Sequence, residues 1–238
     1  MKQDPSPTDA PATSTLILVP TDLERRRLED EGGFPEEFGE LHVGGFGPVA
    51  AAARTAQLLA LRRPKRLLLI GIAGAYDAER DPVGSARSFE AVALHGVGVG
   101  EGREFQSPPA LGFPQWPGDA DSDAIDDRLP LWLPAEVGPE ERAELLLTTC
   151  GASCDPEQAA QRAERFPAAR GEDMEGFGVA LACALARTPL CVVRGISNVV
   201  GDRQRSNWNI PQALGAARRL ALTVLKAPAW PFPEGREA

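Results

Sequence analysis

Short apolar segments alternate with helix-like segments along this chain, and this alternation restricts the fold more than any other feature. Residues 66–72 consist of one arginine followed by an apolar run, and similar runs occupy 15–19, 89–95, 145–149 and 190–196. A strand that is apolar along its whole length must be covered on both faces, so these runs predict central strands between helices. We therefore expect an α/β protein, a three-layer α/β/α fold with a largely parallel or mixed central sheet.

Prolines and capping residues mark where the helices begin and end. Thr21 or Asp22 can cap a first helix, and Pro48 opens an alanine-rich helix that Pro64 stops. Asp155 precedes a further helix in the same way. The predicted helices span 22–28, 50–62, 156–166, 176–187 and 211–225.

The remaining segments differ in composition from these alternating elements. Residues 1–14 are rich in Pro, Ser, Thr and Asp, which bury too little apolar surface to offset ordering entropy, so we predict a disordered tail. Residues 98–140 hold many of the 22 prolines, which predicts a long loop or lid with little regular structure. We expect one domain over 15–227 and a C-terminal tail at 228–238.

The charge balance and the lack of long apolar segments exclude several classes of partner. The 238 residues include 34 acidic and 25 basic side chains, a formal net charge of -9 that repels a phosphate backbone. We therefore expect no nucleic-acid partner. No apolar run is long enough to cross a bilayer, and the N-terminus lacks a signal-peptide core. We expect no membrane association and a cytoplasmic location.

The cysteines and histidines do not predict a metal site. Cys150 and Cys154 are spaced C-x3-C, as at the start of some metal sites, but neither of the two histidines lies near them in the sequence. Cys183 and Cys191 flank an apolar segment and are typical of small core residues. We interpret all four as thiols and expect neither a metal nor another cofactor.

Small and polar residues collect at the ends of three predicted strands. The segments are 71–74 (Gly-Ile-Ala-Gly), 173–175 (Asp-Met-Glu) and 197–198 (Ser-Asn). In α/β sheets ligands bind beyond the carboxyl ends of the strands. We therefore expect these three segments to converge on one site.

The acidic segment 171–176 has two interpretations. As a solvated loop, it would use Asp173 or Glu175 to cap the apolar helix that follows. As a binding site, it would place a carboxylate where adjacent sugar hydroxyls donate hydrogen bonds, with Met174 under a ribose ring. The sequence leaves both interpretations open.

Asn198 and Glu24 also have both an ordinary and a functional interpretation. Ser and Asn favour turns at strand ends, but the amide of Asn198 could also donate to the carbonyl oxygen or the neighbouring ring nitrogen of an oxopurine. Glu24 fits the acid preference of a helix's first turn. With a pKa raised by burial, it could instead activate water as a general base.

Taken in order, these motifs resemble the nucleoside phosphorylase/nucleosidase superfamily. The matching features are Glu24 after the first strand, the Gly-rich loop 44–47 before the Ala-rich helix, the 71–74 strand end, Met174-Glu175-Gly176 and Arg194 to Asn198. Within the superfamily, residues 194–209 are most similar to the futalosine hydrolases. The resemblance spans about 16–225 and implies a three-layer fold in a homodimer or larger homo-oligomer.

The resemblance also implies roles for individual residues. Glu24 matches the family's water-activating glutamate, and Met174 and Glu175 match its ribose-binding Met-Glu pair. Asn198 stands where methylthioadenosine/adenosylhomocysteine nucleosidases have a base-protonating aspartate. The backbone of Ala73-Gly74 matches the segment that faces the nucleoside. Glu24, Glu175 and Asn198 are therefore the catalytic candidates.

Several residues depart from the family pattern or lie beyond its motifs. Phe177 stands where a small residue is common, and residues 149–153 lack the aromatic that many relatives place against the purine, so Phe105, Phe177 or Trp208 would have to stack on the base. One of two arginines near Trp208 would pair with the benzoate carboxylate of futalosine, although plain surface roles would also account for both. The substrate-binding candidates are Ala73, Gly74, Asp173, Met174, Phe177, Arg203, Arg205 and Trp208.

The implied activity is hydrolysis of the N-ribosidic bond of futalosine, a purine nucleoside, which releases hypoxanthine and dehypoxanthine futalosine in menaquinone biosynthesis. Phosphate binding at 44–47 would instead make the protein a phosphorylase, but Arg54 and Arg87 match no firm phosphate motif, which favours the hydrolase. A methylthioadenosine/adenosylhomocysteine nucleosidase, disfavoured by Asn198, and an oxopurine nucleoside phosphorylase are alternatives. A non-catalytic nucleoside-binding protein on the same fold is a further one.

Overall fold

Strands and helices alternate along the chain as the sequence predicts. The computed structural model describes residues 15–120, 122–228 and 230–231, so the predicted tail at 1–14 and most of the tail at 228–238 lie outside the described residues. The strands are β1 (Leu16–Val19), β2 (Glu40–Val43), β3 (Leu67–Ala75), β4 (Ala86–His95), β5 (Arg128–Pro130), β6 (Arg142–Thr149), β7 (Ala169–Asp173) and β8 (Leu190–Val199). The α-helices are α1 (Asp22–Asp30), α2 (Pro48–Arg62), α3 (Pro108–Leu111), α4 (Pro156–Arg165), α5 (Gly176–Leu185) and α6 (Ile210–Lys226).

The strands form one mixed sheet that curls back on itself. β1 pairs in parallel with β2 and β3, and β3 pairs in parallel with β8. β8 then runs antiparallel to β4, which is parallel to β6, and β6 is parallel to β7. β7 returns antiparallel to the last residues of β3, and β5 adds to the free edge of β4. The end of β3 is therefore flanked by both β8 and β7.

Helices cover both faces of the sheet, and successive side chains of β3 alternate between the two faces. Leu67 and Leu69 pack in one apolar cluster with residues of α2 and α5. Leu68 and Ile70 pack in a second cluster with residues of α1 and α6. A continuous apolar strand therefore supplies both cores. The predicted three-layer α/β/α fold with a mixed central sheet is confirmed.

Side-chain caps fix the start of the helices next to the strand ends. Thr21 caps α1 in a capping box: its hydroxyl accepts from the Glu24 N–H, while the Glu24 carboxylate accepts from the Thr21 N–H at 3.1 Å. Asp155 and Asn209 cap α4 and α6 through the N–H groups of Gln158 and Gln212. The first helix therefore begins at Asp22, as predicted.

β7 is one of three strands, with β2 and β5, whose limits the apolar pattern does not give. Its charged side chains interrupt the apolar signal, but each one is paired inside the protein. Arg170 bonds to Asp81, and Glu172 accepts from Arg162. Asp173 is bound by Arg194. Tertiary ion pairs therefore allow a buried strand where the sequence suggests a polar segment.

The Pro-rich segment 98–140 contains the short elements α3 and β5, and much of the rest has no regular structure. Ile125, Leu129 and Leu131 pack into the cluster formed with α2 and α5. This part of the segment is therefore attached to the main core.

The described residues also bear on the cysteines and on membrane insertion. Cys183 and Cys191 are buried, Cys150 and Cys154 are exposed, and all four are free thiols. Over the same residues, no group of three or more His, Cys, Asp and Glu side chains could hold a metal ion. Within the described chain, no helix is both long and apolar enough to cross a bilayer.

Candidate active site

A pocket of about 650 Å³ opens where β3, β7 and β8 end. Its lining includes nearly every residue that the sequence analysis predicts as catalytic or substrate-binding, together with residues at the start of α1. The predicted residues that line it are Glu24, Ala73, Gly74, Asp173, Met174, Glu175, Asn198, Arg203, Arg205 and Trp208. The three strand-end segments therefore converge, and none of the described residues in 98–140 lines this pocket. A lid function for that segment stays a prediction.

Phe177 is the exception among the predicted residues, and its assignment to the pocket is wrong. Its side chain is 1% exposed and packs in the apolar cluster with α2 and α5. Only its backbone approaches a polar group, because its N–H donates to the Thr148 hydroxyl at 2.8 Å. α5 turns this side chain into the core, so Phe177 cannot stack on a ligand.

Glu24 is buried at the bottom of the pocket by the capping box of α1. Its Oε2 accepts from the Thr21 hydroxyl at 2.6 Å, and its Oε1 accepts from the Ile72 N–H at 3.0 Å. Burial raises the pKa of the Glu24 carboxyl, while the bond from Thr21 and the positive charge of Arg194 oppose the shift. A buried carboxylate of this kind is suited to take a proton from water.

The acidic segment is a buried ionic cluster, and its interpretation as a solvated loop is wrong. Asp173 and Glu175 are each 5% exposed, and Arg194 of β8 is fully buried. The Nη2 atom of Arg194 lies 2.5 Å from Asp173 Oδ2 and 3.7 Å from Glu175 Oε2. Asp173 also accepts from the Gly176 N–H at 2.9 Å, so it caps α5 as well. One arginine therefore holds both carboxylates at the pocket.

Glu175 combines this ion pair with a bond from the Gly-rich loop. Its Oε1 accepts from the Gly47 N–H at 3.0 Å. Burial raises the pKa of Glu175 to about 7, although Arg194 opposes the shift, and the negative charges of Asp173 and Glu24 add to it. The group therefore changes its charge near neutral pH, as expected of an acid with a chemical role.

Gly71 makes room for the charged groups behind the pocket. A Cβ at this position would lie 2.3 Å from Arg194 Nη1 and 2.8 Å from Glu24 Oε1. No side chain fits at that distance, so the glycine is required by the close approach of the guanidinium and the carboxylate. The small-residue strand end predicted at 71–74 therefore has a specific steric cause.

Asn198 of β8 is paired with Gly74, three residues beyond Gly71 on β3. Its Oδ1 accepts from the Ser197 hydroxyl at 2.8 Å, and its Nδ2 donates to the Val199 carbonyl at 2.8 Å. The Val199 carbonyl can only accept, so it fixes which end of the amide is the donor, and Nδ2 carries a second N–H. A Cβ on Gly74 would lie 3.3 Å from Nδ2, so the glycine keeps space open beside the amide.

The mouth of the pocket is basic and partly aromatic. Arg203 lies over the Trp208 ring, 5.0 Å from its centroid, and the Trp208 indole N–H donates to the Asp202 carbonyl at 3.0 Å. Phe46 of the Gly-rich loop also lines the pocket and is 68% exposed. Phe105, in contrast, packs against His95 and does not line it. Among the described residues, Trp208 and Phe46 are therefore the aromatic side chains that line the pocket and could stack on a base.

Sequence reasoning did not assign Phe46 and Glu172 to the pocket, and it did not predict that Arg194 pairs with the acids behind it. For Arg194 a signal existed, since a lone cation inside an apolar strand must be paired when it is buried. Glu172 belongs to the acidic segment 171–176 and Phe46 to the Gly-rich loop 44–47, but neither motif shows that the side chain faces the pocket.

The arginines considered for phosphate lie elsewhere. Arg87 is buried against Asp81, and Arg54 is exposed on α2, where it bonds to Gln57. Neither lines the pocket. The Gly47 N–H, at the start of α2 where an anion would bind, already donates to Glu175.

The family follows from sequence comparison. A sequence model of the Phosphorylase superfamily matches residues 31–226, which is most of the chain. The chain belongs to this superfamily. The pocket and the buried ion pairs of Arg194 both lie within the residues that this model matches.

Similar proteins carry two names, futalosine hydrolase and 5'-methylthioadenosine/S-adenosylhomocysteine nucleosidase. The futalosine hydrolase of Streptomyces coelicolor is 34% identical over 182 residues, 74% of each chain. That of Thermus thermophilus is 31% identical over 222 residues, 88% of this chain and 94% of the relative. The 5'-methylthioadenosine/S-adenosylhomocysteine nucleosidase of Tolumonas auensis is 29% identical over 184 residues, 76% of each chain.

Solved structures of the superfamily share the fold. The 5'-methylthioadenosine/S-adenosylhomocysteine nucleosidase of Colwellia psychrerythraea, in complex with adenine, has a TM-score of 0.69 at 20% identity and covers 91% of this chain and 96% of its own. The enzyme of the same name from S. pneumoniae has a TM-score of 0.70 at 19% identity and covers 90% of this chain and 98% of its own. At these identities the likenesses establish the fold alone. The substrate has to be inferred from the residues of the pocket.

Proposed function

We propose that this protein hydrolyses the N-ribosidic bond of futalosine and releases hypoxanthine and dehypoxanthine futalosine. The observation that carries the proposal is Asn198, which lines the pocket beside Gly74 and whose second amide N–H has no hydrogen-bond acceptor among the described residues. An amide can donate to the oxygen or imidazole nitrogen of an oxopurine without being ionised. The named relatives at 31% and 34% identity support the same substrate.

Three side chains divide the chemical work in this proposal. Glu24 accepts a proton from the attacking water, and the resulting hydroxide bonds to the anomeric carbon of the ribosyl group. Glu175 accepts hydrogen bonds from the ribose hydroxyls and stabilises the positive charge that develops on the sugar. Asn198 donates a hydrogen bond to the leaving base, which departs with the electron pair of the glycosidic bond and takes up a proton from solvent, while Glu24 returns to solvent the proton that it accepted from water.

Water is preferred to phosphate as the nucleophile for two structural reasons. The Gly47 N–H at the start of α2 is bonded to Glu175, and neither Arg54 nor Arg87 lines the pocket. Phosphorolysis needs cationic or backbone donors around the anion. The arginines that line the pocket among the described residues, Arg27, Arg203 and Arg205, are all exposed.

A methylthioadenosine/adenosylhomocysteine nucleosidase is the second candidate, favoured by the relative from Tolumonas auensis. Its aminopurine base would gain from an acid that both donates and accepts, which Asn198 does not provide. Menaquinone biosynthesis as the pathway, a homo-oligomeric state and a cytoplasmic location remain predictions that accompany the proposal.

The deciding experiment measures base release from futalosine in phosphate-free buffer and again with phosphate, with inosine and methylthioadenosine as comparison substrates. We expect hypoxanthine from futalosine at a rate independent of phosphate. Release that requires phosphate would identify a phosphorylase, and preferential cleavage of methylthioadenosine would identify the second candidate. Binding of nucleosides without release would identify a non-catalytic binding protein.

A further inference from the structure

The register of β3 arranges the pocket in a fixed order. Gly71 lies against Glu24 and Arg194, and three residues later Gly74 is paired with Glu172 of β7 on one side and with Asn198 of β8 on the other. Three residues of strand span about 10 Å, roughly the length of a nucleoside. If the sugar occupies the end with the buried acids, the base therefore lies over Gly74, between Glu172 and Asn198.

Glu172 is held at this position by several hydrogen-bond donors. It is 6% exposed, and it lines the pocket. Its Oε2 accepts from the hydroxyls of Tyr76 and Ser153, both at 2.8 Å, and from Arg162 at 3.1 Å. All three partners are donors, so the network holds Glu172 as an acceptor-only carboxylate.

The other carboxylate oxygen is less occupied. Oε1 accepts from the Ser153 N–H at 2.7 Å and from no other group among the described residues. A carboxylate oxygen accepts two bonds or more, so Oε1 retains acceptor capacity at the wall of the pocket. Because the Ser153 N–H donates to Glu172, it is not available to donate to a bound base. A base on this side of the pocket therefore meets the acceptor oxygen of Glu172.

We infer that Glu172 selects 6-oxopurines over 6-aminopurines by accepting the N1–H of the base, and this inference rests on the proposed function. An oxopurine presents a donor at N1 and an acceptor at O6, which match Glu172 and the Asn198 amide. An aminopurine presents a lone pair at N1, which a carboxylate repels. The repulsion between this lone pair and the carboxylate, in place of a hydrogen bond from N1–H, discriminates against the aminopurine.

The first test measures binding of free bases by calorimetry, so that it does not depend on catalysis. We expect the wild-type protein to bind hypoxanthine at least ~10-fold more tightly than adenine or 1-methylhypoxanthine, which lacks the N1–H. Equal binding of hypoxanthine and 1-methylhypoxanthine would overturn the role of Glu172. This outcome is independent of whether futalosine is hydrolysed, so failure of the proposed function is recognised separately.

The second test changes the acceptor. In E172Q the side-chain amide can donate to the N1 of an aminopurine, so we expect the ratio of kcat/KM for futalosine to that for its 6-amino analogue to fall by ~10²-fold or more. The matched control is Tyr76→Phe, which removes a partner of Glu172 outside the pocket lining and should leave this ratio unchanged.

A purely structural role for Glu172 would give a different result. Loss of the network would lower kcat/KM for both substrates alike in E172Q and leave their ratio constant, and that result would contradict the inference. If E172Q does not fold, the comparison of hypoxanthine with 1-methylhypoxanthine on the wild-type protein still decides the question.

Discussion

The charge on Arg194 explains why carboxylates can be buried at the pocket. A guanidinium without solvent exposure is stable only when it is paired, and Asp173 and Glu175 supply the pairing. Asp173 has further partners in Thr148 and Gly176, whereas Glu175 is bound by the cation and by one backbone N–H. Glu175 is therefore the carboxylate best placed to turn toward a ligand.

The two candidate catalytic acids give the first prediction at this scale. Glu24→Gln and Glu175→Gln keep the shape of each side chain but remove its charge, and each should lower the rate of base release by at least ~10²-fold. The matched control is Asp30→Asn, an exposed acid at the end of the same helix as Glu24, which should keep wild-type rates. Near-normal release by either glutamine variant would remove that residue from the mechanism.

The raised pKa of Glu175 gives a prediction about pH. Burial raises this pKa to about 7, and burial also raises the pKa of Glu24. Both groups act in their ionised forms, so kcat/KM should increase as pH rises toward about 7 and level off above it. A profile of kcat/KM from pH 5 to 9 tests this, and a constant value down to pH 5 would contradict it.

At the scale of elements, the glycines at the end of β3 leave space for side chains from α1 and β8 to approach the strand closely. Gly71→Ala would place a methyl group 2.3 Å from Arg194 Nη1 and 2.8 Å from Glu24 Oε1. We expect a loss of about 1–3 kcal/mol in the free energy of unfolding, together with loss of activity, because both charged groups must move.

Gly151→Ala is the control for this substitution, since a Cβ there meets no atom within 4 Å. It should change the free energy of unfolding by less than about 0.5 kcal/mol. Denaturant unfolding and base release, measured on both variants, separate the steric effect from the general cost of replacing glycine. Equal stability of the two variants would contradict the proposed steric role.

The segment that follows β8 supplies a prediction about substrate selection. Arg203 and Arg205 lie at the pocket mouth, where a guanidinium can bind the benzoate carboxylate of futalosine. Loss of the pairing arginine should raise KM for futalosine by about 10-fold or more and leave KM for inosine, which lacks the carboxylate, unchanged. Unchanged affinity for futalosine in both Arg203→Ala and Arg205→Ala would refute this pairing.

At the scale of the whole molecule, the burial of Glu175 makes the free energy of unfolding depend on pH. The pKa of Glu175 is about 7 in the folded protein and 4.5 as an ordinary glutamate. Between these values the folded protein retains a proton that the unfolded chain loses, so the contribution of Glu175 to stability decreases as pH rises through this window. The total effect is on the order of 3 kcal/mol.

Glu175→Gln removes this titration and mimics the protonated state. Relative to wild type, the variant should therefore gain stability between pH 5 and pH 8, by up to the full effect. Urea unfolding of both proteins at the two pH values measures the change, with the exposed Glu37→Gln as the control. A stability difference that is the same at both pH values would show that Glu175 does not titrate in this range.

The sequence alone determined the layered fold, most element boundaries and the convergence of three strand ends. These features depend on local signals: apolar runs such as 66–72, the caps Thr21 and Asp155, and the helix-opening Pro48. Local chemistry is enough for them, because a strand or a helix end is specified by the residues within a few positions of it.

Only the tertiary structure decided which side chains face the pocket and how their charges are balanced. The sequence does not reveal that α5 turns Phe177 into the core. It also does not reveal that Arg194 pairs with Asp173, or that Glu172 is held beside Gly74. These facts depend on contacts between distant segments, and the free energy of a buried charge is set by the partners that folding brings to it.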